Sequence, residues 1–341
     1  MKLAILFVKE QAYAKKNHAG ILQGAALLIL LRLFAFFCCG APYTAAYARG
    51  MLTAALIQAA AILPLLKSPQ TADLPPAILR LYRLYAIGWG ARLTVLFRSL
   101  CRQLLLPRGQ CGGLLILLTV MLFYTVPQNH RAAERAAGLL LPAFAAAFLL
   151  LPVSGLQSVR GISLFMPDSA AQGFLREWQF SGELPLIFLL RRRQEQQTAC
   201  RSAVIWAVGR CVFLPLLVLF GTMQNGRLLR WEGNPFFLLL ARTPLSDAIR
   251  TDGLWMLLVF ACGGLCITCC LQAAKRETCA GFRGYAGIFL PYALAFAVLS
   301  LLPAADRILT AAAILLGIAL PWGRLVYTHF GKSSPQRSAA A

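Results

Sequence analysis

The stretch from Asp168 to Arg193 reads DSAAQGFLREWQFSGELPLIFLLRRR. Its apolar part, 174–190, is 17 residues long, which at about 1.5 Å per helical residue just crosses a hydrocarbon core of about 30 Å. The residues SGELP at 181–185 interrupt it, because glycine is conformationally permissive and proline removes a backbone donor. We predict two half-helices joined beside Glu183, as in transporter substrate sites. The alternative is one proline-kinked helix whose glutamate pairs with an arginine.

The composition predicts an all-α polytopic membrane protein. Of the 341 residues, 59% are hydrophobic and 13% are charged, whereas about a quarter of an average soluble domain is charged. The net charge of +21 indicates loops that face an anionic leaflet, and we expect no nucleic-acid partner. The short apolar run near the N-terminus has no small-residue cleavage site after it, so no signal peptide is expected.

Apolar windows predict about ten transmembrane helices in a single integral membrane domain, residues 1–331, followed by a short disordered tail, 332–341. The predicted spans are 20–39, 44–66, 77–99, 112–126, 134–152, 174–190, 202–221, 253–274, 284–302 and 308–328. With cytoplasmic termini, 19 of the 33 Lys and Arg fall in inner segments and 11 in outer ones, which favours that orientation. Long outer loops are expected at 153–173 and 222–252.

Ten spans divide into five plus five, which makes spans one and six counterparts if the halves form an inverted repeat. The sixth span is the broken one. Its counterpart offers Gln23 and Gly24, followed by Ala25, as a weaker break near the inner end of span one. We therefore predict discontinuous helices one and six. This scheme rests on the number of spans, because the halves show no clear similarity of residues.

The third span carries an aromatic stripe and one buried charge. Tyr82, Tyr85, Trp89 and Arg92 recur at intervals of three or four residues and so share one helix face. Arg92 lies mid-span and needs a partner or water. Glu183 is the nearest candidate in depth. The alternative is that Arg92 extends outward to the membrane surface.

No residue pattern predicts catalysis, a metal site or a cofactor. Phosphate-binding loops, nucleophile elbows and zinc-protease motifs are missing from the sequence, so we predict no enzyme and no bound ATP. Four cysteines lie at helical spacing within the eighth span, and no histidine accompanies them. We interpret this group as a packing face, with metal or redox chemistry as the alternative. The four are Cys262, Cys266, Cys269 and Cys270.

Three features resemble the spore germination permeases, the transporter-like membrane subunits of germinant receptors. They are the run FSGELPLIFLL from Phe180 to Leu190, the pattern W-x-x-x-P-F-F-L-L-L-A-R from Trp231 to Arg242, and Asp252 at the start of span eight. Arg135 also resembles an arginine of that family, although Arg131 stands where the family usually has a glutamate. The resemblance covers roughly residues 74–324 in span order and spacing, and span one diverges from the family.

The resemblance implies the fold of the amino acid-polyamine-organocation superfamily, with ten spans and a five-plus-five inverted repeat. It also implies a sensor of a small nutrient, commonly an amino acid, that works with other germinant-receptor subunits in the inner membrane of a spore. The alternative of another class is an amino acid permease or ion-coupled symporter. A third possibility is a membrane scaffold that binds no ligand.

We predict that a small ligand binds at the break of span six, where half-helix ends present amides and carbonyls to a zwitterion. Glu183 is expected either to face the ligand's ammonium group or, protonated or paired with Arg92, to hold the broken helix in one state. The predicted ligand-binding residues are Gln23, Gly24, Ala25, Tyr85, Phe180, Ser181, Gly182 and Glu183.

Overall fold

The computed structural model describes ten segments of the chain, and every regular element in them is a helix. The described residues are 2–39, 44–68, 74–104, 111–128, 130–155, 169–191, 196–225, 252–275, 282–302 and 304–331. The helices are α1 Lys2–Cys39, α2 Ala45–Lys67, α3 Pro76–Leu104, α4 Cys111–Thr125, α5 His130–Gly155, α6 Ser169–Gln179, α7 Glu183–Arg191, α8 Gln196–Asn225, α9 Asp252–Ala274, α10 Phe282–Leu301, α11 Ala305–Ile314 and α12 Leu320–Gly331.

Six stretches in the described part of the chain are long and apolar enough to cross a membrane. They are Gly20–Cys38, Ala45–Lys67, Thr198–Leu219, Leu257–Ala274, Gly284–Leu301 and Ala305–Thr328. The other predicted spans are also helical, but α4 has only 15 residues, the sixth span is divided, and α3 carries several arginines. The chain is therefore a polytopic membrane protein that is all-helical over the residues described, and the number of ten spans remains a prediction.

The sixth span is broken where the sequence predicts. Helix α6 ends at Gln179 and α7 begins at Glu183, so three residues, 180–182, separate two short helices. Pro185 lies in the first turn of α7, where its missing N–H removes no hydrogen bond, since the first four amides of a helix have no partner within it. Glu183 stands at the same N-terminus, where the helix dipole favours a negative charge.

The predicted break in span one is wrong. Helix α1 runs without interruption from Lys2 to Cys39 and includes Gln23, Gly24 and Ala25. One glycine in a helix costs only about 1 kcal/mol, and no proline follows it to remove a hydrogen bond. The neighbouring apolar side chains of α1 are buried, and this packing outweighs so small a cost.

The tenth predicted span contains an irregularity that the sequence does not predict. Residues Leu315–Ala319 form a π-helical turn between α11 and α12. Gly317 in this turn lies against α7, because a methyl group on it would lie 2.9 Å from Cβ of Leu184. The Tyr82 hydroxyl donates a hydrogen bond of 2.5 Å to the carbonyl oxygen of Leu316. The wide turn thus fits beside the start of α7, and such turns often mark functional sites.

Helices α2 and α6 approach each other at two glycines. A methyl group on Gly50 would lie 1.9 Å from the carbonyl oxygen of Ala170, and one on Gly173 would lie 2.3 Å from the carbonyl oxygen of Tyr47. Small residues that let two backbones approach closely are typical of helix pairs in membranes. This contact positions the first half of the broken span against α2.

Several predicted features lie outside the described residues. The Trp231–Arg242 pattern and the tail, 332–341, fall there entirely, and the predicted outer loops fall there for most of their length.

The α2–α6 contact predicts that Gly50→Ala destabilises the protein. Helix propensity alone would favour alanine by about 1 kcal/mol, but the methyl group would overlap a backbone atom that cannot rotate away. We expect a fall of several degrees in the thermal midpoint of the purified protein, as for other overpacked sites. Gly20→Ala in α1 is the matched control, since a methyl group there meets nothing within 4 Å. A midpoint for Gly50→Ala at or above that of the control would contradict the close approach.

Candidate functional site

Six buried polar side chains surround the break between α6 and α7. None of the six residues is more than 3% exposed. They come from α1, α2, α6, α7, α8 and the break itself, and we call them the buried ionic cluster. Its members are Arg32, Gln58, Glu177, Ser181, Glu183 and Arg210.

Glu177 is the centre of this cluster, because both of its carboxylate oxygens are bound by arginines. Arg32 donates through Nε to Oε1 at 3.2 Å and through Nη2 to Oε2. Arg210 donates through Nε to Oε1 at 2.7 Å. Hydrogen bonds between ionised groups are about twice as strong as neutral ones. Glu177 therefore connects α6 to α1 and to α8.

Arg210 extends these contacts to the break. Its Nη2 donates to the Ser181 hydroxyl at 2.6 Å and to Oε1 of Gln58, and its Nη1 lies 3.1 Å from Oε1 of Glu183. The guanidinium carbon also lies 5.3 Å from the centre of the Trp206 ring. One side chain on α8 thus contacts α2, the break and the start of α7, so a displacement of the break would disturb all of these contacts.

The cluster is electrically balanced, with two arginines and two glutamates. Removing such charges from water costs several kcal/mol per ion, and only close pairing with further hydrogen bonds compensates for this cost. Gln58 accepts through Oε1 from Arg210, which leaves its Nε2 as a buried donor with no hydrogen-bond partner among the described residues. Trp89 Nε1 is a second such donor. These two groups can donate to a ligand.

The aromatic stripe of α3 covers the other side of the break. The Tyr85 hydroxyl donates to the carbonyl oxygen of Gly182 at 3.1 Å. Its ring stacks on that of Trp89, with centroids 6.3 Å apart and planes at 12°. A methyl group on Gly182 would lie 1.9 Å from the Trp89 ring, so only glycine allows this approach. The structure thus brings Tyr85 to the break with Phe180, Ser181 and Glu183.

The predicted pairing of Arg92 with Glu183 is wrong, and the alternative that Arg92 extends to the membrane surface stays a prediction. Arg92 forms its ion pair with Asp306 in the first turn of α11, at 2.5 Å from Nε to Oδ1, and donates to the carbonyl oxygen of Gln179 at 2.9 Å. Its guanidinium carbon lies 4.7 Å from the Trp89 ring centre. Arg210 occupies the place beside Glu183 instead. Contact between α11 and α3 could not be inferred from sequence spacing.

The residues expected to close the site from α1 lie elsewhere. Gln23 packs against α5, since a methyl group on Gly138 would lie 2.9 Å from its Cγ. The α1 side chain that reaches the cluster is Arg32, nine residues or about 13.5 Å further along the helix. Gly24 and Ala25 are buried beside Gln23 in the same uninterrupted turns.

Sequence reasoning missed four members of the cluster, Arg32, Gln58, Glu177 and Arg210. The available signal was the position of Arg32 and Arg210 within predicted apolar spans, because an intramembrane charge requires a partner. Glu177 lies six residues before Glu183 and was the obvious carboxylate to consider for that role.

The cysteine group of the eighth span is buried in α9. Cys262, Cys266, Cys269 and Cys270 are each at most 3% exposed, and the sulfur atoms of Cys262 and Cys266 are 3.9 Å apart. Among the described residues, no group of three or more His, Cys, Asp or Glu is arranged to hold a metal ion. Cys262 also lies 3.7 Å from the carbonyl oxygen of Leu30, so this face packs against α1.

No protein-family model matches the chain, and no curated protein matches it. The fold and the site define a class nonetheless: an all-helical membrane protein with a broken helix whose break is held by a buried, charge-balanced cluster.

We expect Glu177→Gln to destabilise the protein strongly. The change leaves two buried arginines without their shared carboxylate, and breaking a buried ion pair in this way typically costs about 3–5 kcal/mol. The thermal midpoint of the purified protein in detergent measures the effect. Arg201→Gln, which removes an exposed charge from α8, is the control and should change the midpoint little.

The double variant Glu177→Gln with Arg32→Met provides a second measurement. Removing one of the two cations that lose this carboxylate should restore part of the lost stability. Equal midpoints for wild type and Glu177→Gln would show that the carboxylate does not hold these helices together.

Proposed function

We propose that this chain is the transporter-like membrane subunit of a spore germinant receptor, and that it binds a small zwitterion, such as an amino acid, at the break between α6 and α7. The observation that carries the proposal is the break itself. The FSGE run that resembles the germination permeases falls at residues 180–183, of which 180–182 interrupt the helix and Glu183 begins α7. The whole-chain scheme of ten spans in a five-plus-five repeat, with cytoplasmic termini, belongs to the same proposal.

The chemistry around the break suits both ends of a zwitterion. Gln58 Nε2 and Trp89 Nε1 are buried donors without partners among the described residues, and a ligand carboxylate would accept from them. An ammonium group needs carbonyl or carboxylate oxygens, which the end of α6 and Glu183 supply. Burial favours both interactions, because an unpaired buried donor costs about 1–3 kcal/mol and a ligand that satisfies it recovers that cost.

The buried ionic cluster supports a change of state upon binding. Arg210 is shared among Glu177, Glu183, Ser181 and Gln58, so a ligand that moves the break redistributes its hydrogen bonds. A packed cluster of this kind has discrete arrangements rather than a continuous range of them. A ligand that contacts one arrangement better shifts the population toward it, and a receptor requires nothing more than this shift.

An amino acid permease or ion-coupled symporter is the second candidate. The observation in its favour is the pair of buried carboxylates, Glu177 and Glu183, which both contact Arg210. Ionisable chains inside a membrane often carry protons in pumps and transporters. A structural scaffold, the third possibility, would bind no ligand and would tolerate Glu183→Gln.

Deletion of the gene in its own organism distinguishes the candidates. A germinant-receptor subunit predicts spores that no longer germinate in response to at least one nutrient, with normal amino acid uptake by growing cells. Germination is measured as the loss of spore refractility. Uptake is measured with radiolabelled amino acids. Lost uptake with normal germination would instead identify a transporter.

Glu183→Gln separates the two roles of the glutamate. If Glu183 contacts the ligand's ammonium group, the variant should bind about tenfold to a hundredfold more weakly, as expected for a charge-assisted hydrogen bond of about 1.5–3 kcal/mol. If Glu183 acts as a switch with Arg210, binding should be nearly normal while the germination response is lost. Binding is measured by calorimetry on the purified protein with amino acids that a thermal-shift screen selects.

Glu134→Gln, which neutralises a buried glutamate of α5, is the matched control for Glu183→Gln. Under the switch role, adding Arg210→Met should restore part of the response, because it removes the excess positive charge that Glu183→Gln leaves in the buried ionic cluster. Normal binding and a normal response in Glu183→Gln would exclude both roles and would favour the scaffold.

A further inference from the structure

A cavity of about 360 Å³ lies away from the buried ionic cluster, between α3, α9 and α10. It is lined by Arg80 and Arg83 from α3, by Lys275 just after α9, and by Tyr285, Gly287 and Ile288 from α10, among others. Three of these side chains are positively charged, and none of the described residues that line the cavity is acidic. Its electrostatics therefore favour an anion.

The start of α10 adds to this positive potential. The helix begins at Phe282, so the backbone amides of Gly284 and Tyr285, two residues that line the cavity, belong to its first turn. These amides have no acceptor within the helix, and the N-terminal end carries a partial positive charge. Tyr285 adds a phenolic donor. Side-chain cations together with helix amides form the usual environment of a bound phosphate.

The cavity has apolar surface that a soluble anion would not use. Ile87 and Ile288 are buried in its wall, and Leu84 lines it with 58% of its surface exposed. Along α10, Leu290 and Leu294 follow Gly287 at intervals of three and seven residues and are 75% and 66% exposed. Exposed leucines thus follow the charged end of the cavity along α10, an arrangement that suits a charged headgroup with an acyl chain.

We propose that this cavity binds the phosphate headgroup of an anionic phospholipid, whose acyl chain lies along the exposed leucines of α10. Arg80, Arg83 and Lys275 hold the phosphate, and Leu84, Leu290 and Leu294 hold the chain. Basic pockets between transmembrane helices bind anionic headgroups in this manner. Gly287 leaves space for this ligand in the lining of the cavity, because a methyl group placed on it would meet no atom within 4 Å.

Native mass spectrometry of the full-length protein in detergent tests the proposal. Phosphatidylglycerol is titrated against zwitterionic phosphatidylcholine, and we expect phosphatidylglycerol to be retained at least about tenfold more tightly. Gly287→Leu should abolish this preference by filling the cavity. Gly323→Leu in α12 is its matched control, since a methyl group there also meets nothing within 4 Å.

Arg80→Gln gives a second variant that does not depend on filling the cavity. Arg80 is exposed, and its loss should weaken phosphatidylglycerol binding about fivefold, the equivalent of about 1 kcal/mol for one basic residue at a membrane surface. Arg201→Gln, an exposed arginine of α8, is the control and should bind as wild type does.

Three results would overturn the proposal. They are equal retention of the two lipids by wild type, undiminished phosphatidylglycerol binding in both Gly287→Leu and Arg80→Gln, and displacement of the lipid by glycerol 3-phosphate at equal concentration. The last result would assign the cavity to a soluble phosphate ester instead of a lipid. None of these measurements depends on the germinant-receptor proposal, because the variants leave the buried ionic cluster intact.

Discussion

The carboxylate of Glu177, held between the guanidinium groups of Arg32 and Arg210, is the interaction on which the rest of the structure depends. An isolated charge at this depth would be too costly, so the three side chains must remain together once buried. Because they belong to α6, α1 and α8, their pairing brings three spans to one place. The glycine contact between α2 and α6 adds a fourth.

The break in the sixth span can persist only in such surroundings. Residues 180–182 leave the helix, and their polar groups need partners where water is scarce. Arg210 reaches Ser181, Tyr85 binds the carbonyl oxygen of Gly182, and Glu183 begins the next helix beside Arg210. The π-helical turn of the last span packs against the start of α7. The irregular backbone is thus enclosed by helices, and each of these contacts depends on the position of the break.

Much of the local structure around the site could be predicted, whereas most of its partners could not. The break at 180–182 follows from glycine and proline in an apolar segment, and Tyr85 shares a face with Trp89 by helical periodicity alone. The partner of Glu183 was predicted wrongly. Sequence spacing cannot decide whether Arg92 or Arg210 comes near it, because both lie mid-span and the choice depends on which helices pack together. The interruption in α1 was also wrong, since a single glycine is a weak signal.

The sequence by itself determined the class of the protein and the place where its sixth span breaks. Apolar composition and span length act through the transfer of side chains from water. The SGELP run acts through the backbone dihedral angles of its own residues. Both effects are local in the sequence. The tertiary structure alone decided that Arg32, Glu177 and Arg210 meet, that Asp306 takes Arg92, and that the last span widens into a π-helical turn. The ion pairs join residues more than 30 positions apart, and the balance of desolvation against pairing that selects them exists only after the helices have packed.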